Sequence, residues 1–268
     1  MEILNNSHIS FVNLPHRVDR LSHIERELQR VGLRAVRTSG AYPHEFDEKD
    51  PRHQRMRRQT VGAIGCYTAQ INIMKKALEF NKHAFIIEDD VVFCDDLLER
   101  IKYIENWADT HEFDVLWFGG TFHIGYKEGG PYWHPEIGRD AELTDDPRMI
   151  RTLGAFSTHA YIVHRNSLEK IIQQLEEWMS NSVGIDWSFI KMEPFLNTYS
   201  FIPGCAKQFD NESDQRPGSG DWTYFSKFEK LNGTIENSRY WWQPLMSDFD
   251  PTTFDWQEAQ TKRWDWQK

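Results

Sequence analysis

Apolar residues in this chain recur with two different periods, and the switches between them mark the first elements. The run His8-Ile9-Ser10-Phe11-Val12-Asn13-Leu14 predicts a strand, and Pro15 stops it from continuing inside a sheet. From Val18 the spacing changes: Leu21, Ile24, Leu28 and Val31 fall on one helical face, and Gly32 stands where a helix C-terminus needs a left-handed residue. Leu33 to Thr38 reads as a second strand, so the chain opens β-α-β, the pattern of a parallel sheet. A longer helix is predicted from Gly62 to about Phe80, with Ile64, Tyr67, Ile71, Met74 and Leu78 toward the core. It feeds directly into Ala84-Phe85-Ile86-Ile87-Glu88-Asp89-Asp90-Val91-Val92-Phe93, read as a buried strand that ends by thrusting its three carboxylates out of the sheet.

The second half keeps these rhythms less regularly. Asp95 or Asp96 caps a helix carrying Leu98, Ile101 and Ile104, and Asp114 to Gly120 reads as a further strand. Thr121 to Met149 has no clear period and predicts an irregular excursion. Leu153 to Val163 resumes the core as a bend at Gly154 and Ala155 followed by a strand. Asn166, with Glu169 in the capping-box position, starts a helix whose Leu168, Ile171, Ile172 and Leu175 face inward. Leu196 to Ile202 predicts a late strand, followed by a loop from Pro203 to Gly220. No internal repeat is present.

Composition narrows the class. A chain of 268 residues with 39% hydrophobic and 27% charged residues can bury a substantial core, and one large α/β domain is the expected organisation. The formal charge of −10 disfavours sequence-independent nucleic-acid binding, which draws on cationic contacts to phosphate. Cys66, Cys94 and Cys205 lack paired spacing and read as small apolar residues of a reduced interior. With no signal-like start and no run of membrane-spanning length, the expectation is a soluble, cytoplasmic protein.

Candidate chemistry centres on Glu88-Asp89-Asp90. Adjacent carboxylates at a strand end repel one another and desolvate badly, so a positive partner is expected. Glu88 and Asp90 supply hard oxygens at alternate positions, suited to Mg²⁺ or Mn²⁺ with room left for a diphosphate; a solvated acidic turn is the competing reading. The turn from Asn13 to Arg20 lies at the same end of a parallel sheet, where ligands bind, although Arg17 and Arg20 could instead pair with helix acids such as Glu25 and Glu27. The polar stretch from Gly40 to Thr60, with Arg52, His53, Arg55, Arg57 and Arg58, either closes over an anion or is a solvated basic loop. Asp186, in Val183 to Ile190, either caps a helix or serves as a base, and the cap is the simpler reading. Of 11 Trp, six fall in the tail from Asp221, at Trp222, Trp241, Trp242, Trp256, Trp264 and Trp266. They suit docking of the tail onto the domain, or contact with sugar or a partner.

Taken together and in order, several of these pieces resemble glycosyltransferase family 25. They are Phe11-Val12-Asn13-Leu14 with Arg17, Asp19 and Arg20, Gly62 to Cys66, Ile87 to Val91, Ala160 to Val163, Gly184-Ile185-Asp186, and Gln208 through Ser213-Asp214. The resemblance implies a GT-A-type, Rossmann-like, mostly parallel sheet flanked by helices. It divides the chain into a domain over 1–220, with a nucleotide-binding half at 1–119 and an acceptor half at 120–220, and a Trp-rich tail at 221–268. It further implies a UDP-sugar donor bordered by Val12, Asn13, Leu14, Arg17, Arg20, Gly62, Ile64, Glu88, Asp89, Gly154 and Ala155. A Mn²⁺ or Mg²⁺ ion would be held by Glu88 and Asp90, with Asp210 or Asp214 as additional ligands, since the last histidine is His164. Asp186 would be the base of an inverting transfer of a hexose, galactose or glucose, to a hydroxyl on a surface glycan, a hydroxylated protein side chain or a modified nucleobase. The chain departs from the family pattern at Ala63, where Glu is common, and at Ala69-Gln70, where a Ser-His pair is common. A nucleotidyltransferase, a nucleotide-sugar hydrolase and a catalytically silent sugar-binding protein are the alternative functions.

Overall fold

The computed structural model describes residues 1–40, 61–122, 141–146, 148–152, 155–179, 184–201 and 204–208. The elements are α1 Glu2–Asn5, β1 Ser7–Asn13, α2 Val18–Val31, β2 Val36–Ser39, α3 Val61–Glu79, β3 His83–Glu88, β4 Val91–Phe93, α4 Leu97–Ala108, β5 Val115–Phe122, β6 Ala141–Leu143, β7 Met149–Thr152, β8 Ala155–Val163, α5 Leu168–Met179, α6 Ile185–Met192, β9 Thr198–Phe201 and β10 Ala206–Gln208.

Eight strands form one sheet in the order β2-β1-β3-β8-β5-β9-β7-β6. The pairings make it mixed, yet six of the eight strands run the same way, and only β7 and β8 oppose them. The parallel pairing of β1 with β2 and β3 follows the opening β-α-β pattern, and the whole is the Rossmann-like α/β sheet that the family resemblance implies. Alternation along the central strands explains why both faces are covered. Ala84, Ile86, Tyr161, Val163 and Trp117 pack under α3, α5 and α6, whereas Phe85, Ile87, Ala160, Ile162 and Phe118 pack under α2 and α4.

Several local expectations change. The buried strand does end at its acids, with β3 stopping at Glu88 and the chain turning through Asp89 and Asp90, but the apolar residues that follow form a separate strand, β4, which leaves the main sheet to pair antiparallel with β10. Thus Lys207 and Gln208, expected in a loop, lie on a strand. The predicted strand from Leu33 shrinks to the edge strand β2, where Val36 is exposed. Leu78, placed in the core by helical spacing, is also exposed because α3 ends one residue later. The excursion from Thr121 to Met149 contains β6, which pairs antiparallel with β7 just after it.

Capping also differs. Gly32 is left-handed as expected, with φ 74°. Asp96 holds the N-cap position of α4 but makes no capping bond; its carboxylate takes the Arg100 guanidinium at 2.9 Å. Asn166 is not a cap: a single 3₁₀ turn precedes α5, and the His164 side chain accepts from the Asn166 backbone N–H. Gly184, not Asp186, stands at the N-cap of α6.

Candidate active site

Strand register creates the site. β1 and β3 are parallel neighbours with Val12 beside Glu88, so the turns leaving both strands emerge together at their C-terminal ends. Asn13 Nδ2 donates to Asp89 Oδ2 at 2.6 Å and to the Arg17 carbonyl at 3.2 Å, joining the two turns. Arg20, from the first turn of α2, reaches Asp89 Oδ1 at 2.9 Å and Asp90 Oδ2 at 3.3 Å. Arg17 pairs with Asp19 in the first turn of α2, and Glu27 takes Arg30. Asn13 Oδ1 is buried and has no hydrogen-bond partner among the described residues.

Glu88 is gripped on both oxygens. Oε1 accepts from Thr158 Oγ1 at 2.6 Å, from Gln70 Nε2 at 3.2 Å and from Cys66 Sγ at 3.8 Å. Oε2 accepts from Gln208 Nε2 at 2.9 Å, and the same nitrogen lies 3.3 Å from Asp90 Oδ1. Gln70 is fully buried; besides donating to Thr158 and Cys66, it accepts from Tyr161 Oη at 2.5 Å. Cys66 is therefore not merely a small apolar filler, although Cys94 and Cys205 are buried as expected.

The charge balance is unfavourable in the protein alone. Burial, then repulsion from Asp90, Asp89 and Asp186, pushes Glu88 up to about 7, against the relief that Thr158 gives. Burial also raises Asp90, with Arg20 opposing it. Burial and the Glu88 charge raise the Cys66 thiol, which makes it a weak nucleophile. Asp186 lies in the first turn of α6 and its charge reaches both Glu88 and Cys66. Its helix is fixed from below by Ser188, which shares a 2.8 Å hydrogen bond with Tyr67 of α3.

The expected donor-site residues divide as follows. Asn13, Arg20, Glu88, Asp89 and Asp90 are brought together. Val12 and Ile64 are buried, which leaves mainly their backbone for contact; Gly62 is in the first turn of α3, and Ala155 begins β8. Leu14 and Arg17 share the turn after β1, joined by the Arg17 N–H to Leu14 carbonyl bond at 2.9 Å. Gly154, Asp210, Asp214, the arginines of 40–60 and the Trp-rich tail lie outside the described residues. Among the described residues no three His, Cys, Asp or Glu side chains are grouped to hold a metal. From sequence, Gln70 stands out only as part of the Ala69-Gln70 departure from the family pattern, with no role attached, and Thr158 does not stand out. The available signal was a polar residue on the apolar face of α3, and a hydroxyl inside the run leading to Val163.

The fold and this acidic corner define a Rossmann-like α/β domain with its polar cluster where parallel strands end. The description "Glycosyltransferase family 25 (LPS biosynthesis protein)" matches residues 6–188, and the chain belongs to that family. A protein of Anopheles gambiae named "Glycosyltransferase 25 family member" is 24% identical over 159 residues, which is 48% of this chain and 26% of that protein. The match thus spans about a quarter of the relative's length. Among solved structures, the inositol-1-phosphate CTP transferase from T. maritima aligns over 79% of this chain and 73% of its own, with 12% identity and a TM-score of 0.39.

Proposed function

We propose that the protein is a metal-dependent, inverting glycosyltransferase that moves a hexose from a UDP-sugar to an acceptor hydroxyl. The observation that carries this reading is the convergence of Glu88 and Asp90 on one point beside the Asn13–Arg20 turn, in a chain belonging to family 25.

The donor set fits a hard divalent cation. Two carboxylates face a common point, burial raises the proton affinity of both and the Asp90 charge raises that of Glu88 further, which a cation would reverse, and Mg²⁺ or Mn²⁺ commonly takes only one or two carboxylates plus water and phosphate oxygens. Glu88 and Asp90 would hold the ion, with Asp210 or Asp214 as further candidates. When bound, it would neutralise charge developing on the departing diphosphate.

The chain's own residues do the rest. Thr158 and Gln70 orient Glu88, so that its second oxygen faces the ion position. Arg20 offsets the charge of Asp89 and Asp90 and, with Asn13, borders the nucleotide. Asp186 takes the proton from the acceptor hydroxyl; the freed oxygen bonds to the anomeric carbon as the bond from that carbon to the UDP oxygen breaks, leaving UDP and an inverted linkage. The family description makes a lipopolysaccharide sugar hydroxyl the first acceptor to test.

Labelled UDP-galactose and UDP-glucose, incubated with Mn²⁺ and lipopolysaccharide acceptors, test the assignment. Glycosylated acceptor and UDP are expected. Free sugar without an acceptor product would mean hydrolysis, and pyrophosphate release would mean nucleotidyl transfer; either would overturn it.

A further inference from the structure

Gln208 is among the residues that carry the family resemblance, but the sequence assigns it no role. It comes from β10, and that strand has little freedom. Ala206 pairs with Phe93, Lys207 with Val92 and Gln208 with Val91, while the Cys205 N–H donates to the Phe118 carbonyl at 2.6 Å. The Ala206 carbonyl packs so closely on Gly119 that a Cβ there would lie 2.1 Å from its oxygen. The backbone is thus seated on two neighbours, and only the side chain of Gln208 can readily respond to events at the acids.

Its Nε2 sits 2.9 Å from Glu88 Oε2 and 3.3 Å from Asp90 Oδ1. Both neighbours are carboxylate oxygens, so the amide presents its N–H donors to them. An N–H donor between two carboxylates occupies the place a small cation would take. The buried Asn13 Oδ1, unpartnered and on the amide that holds Asp89, is a second sign that this corner lacks a donor or cation.

We propose that Gln208 is a reversible ligand of the cation site: its amide nitrogen stands between Glu88 and Asp90 while the cation is absent, and its amide oxygen coordinates once the cation enters. A half-turn about the last side-chain bond exchanges the two atoms without moving β10. The oxygen is then delivered to the ion by a residue already within reach, adding a protein ligand to Glu88 and Asp90. This inference rests on the metal-dependent reading above.

The test is Mn²⁺ binding to the full chain, read from the loss of the free-ion EPR signal with and without UDP, alongside thermal melting in chelator. Gln208→Ala removes both the placeholder and the ligand. It is expected to lower the metal-free melting temperature and to raise the Mn²⁺ Kd by about tenfold or more, the scale of losses typical for groups around a metal. Gln208→Glu removes the placeholder but keeps an oxygen ligand, so it lowers the metal-free melting temperature while tightening Mn²⁺. Should Gln208→Ala not fold, Gln208→Asn, which withdraws the amide by one methylene, carries the same expectation of weaker binding. Binding of Mn²⁺ to the alanine or asparagine variant as tightly as to the wild type overturns the proposal. If the wild type takes up no Mn²⁺ even with UDP, the metal-dependent reading fails first, and this inference falls with it.

Discussion

Replacing Gln70 with Leu probes the buried network beneath Glu88 without presupposing any activity. The two side chains are close in size, so the change removes polar partners rather than opening a cavity. Tyr161, fully buried, would lose the acceptor that Gln70 provides at 2.5 Å, and an unpartnered buried hydroxyl costs about 1–3 kcal/mol. Glu88 Oε1 would lose the 3.2 Å donor but keep Thr158 at 2.6 Å, which limits that loss to about 1 kcal/mol. The total is about 2–4 kcal/mol, a large share of the ~5–15 kcal/mol that holds a typical domain together. Guanidinium unfolding in chelator measures it, and Tyr161→Phe supplies the internal check. Once the hydroxyl is gone, Gln70→Leu should cost about 1–3 kcal/mol less than in the wild-type background. A loss below about 0.5 kcal/mol, or an equal loss in both backgrounds, would refute the assignment of Gln70 as the hub of this network.

Three further outcomes follow from the same geometry. Because the folded state raises Glu88 from 4.5 to about 7, it binds more protons than the unfolded chain between those values, so this group's contribution to stability falls as pH rises through that window. His83 and His159, lowered by burial to about 4 and about 3, act in the opposite sense, losing stability as pH falls below 6.5. The difference between wild type and Glu88→Gln therefore isolates the carboxylate: in chelator, the variant should gain on the wild type as pH rises from 4.5 to 7, and parallel profiles would contradict the burial of Glu88 beside Asp90. Gly119→Ala sets a Cβ against the Ala206 carbonyl and must push β10 off its seat, so a melting temperature lowered by several degrees is expected; an unchanged one would mean that β10 is not held there. Asp186→Asn should keep UDP-sugar binding in calorimetry while transfer falls by about 10²–10⁴-fold, and undiminished transfer would remove Asp186 from the role of base.

Much of the scaffold is legible in the order of residues. The helical spacing of Ile24, Leu28 and Val31, and the left-handed position of Gly32, reflect rules that act within one turn of backbone, and α2 follows them. The same local logic marks Glu88-Asp89-Asp90 as an anomaly, because three charges cannot sit comfortably at the end of the buried run Ala84 to Ile87. It fails where the competing partner is remote: Asp96 abandons capping for Arg100, and the segment after Glu88 leaves the sheet because β10 supplies a different strand to pair with.

What neighbouring residues could not reveal is who meets the acids. Gln208 touches Glu88 across 120 positions of chain and Thr158 does so across 70, through pairings that exist only after β4 has found β10 and β3 has found β8. Periodicity records which side of an element avoids water, and that requirement is met within the element. The partner of a buried polar group depends instead on register between distant strands, so the identity of the acids was written in the chain while their grip, their repulsion and the amide between them arose on folding.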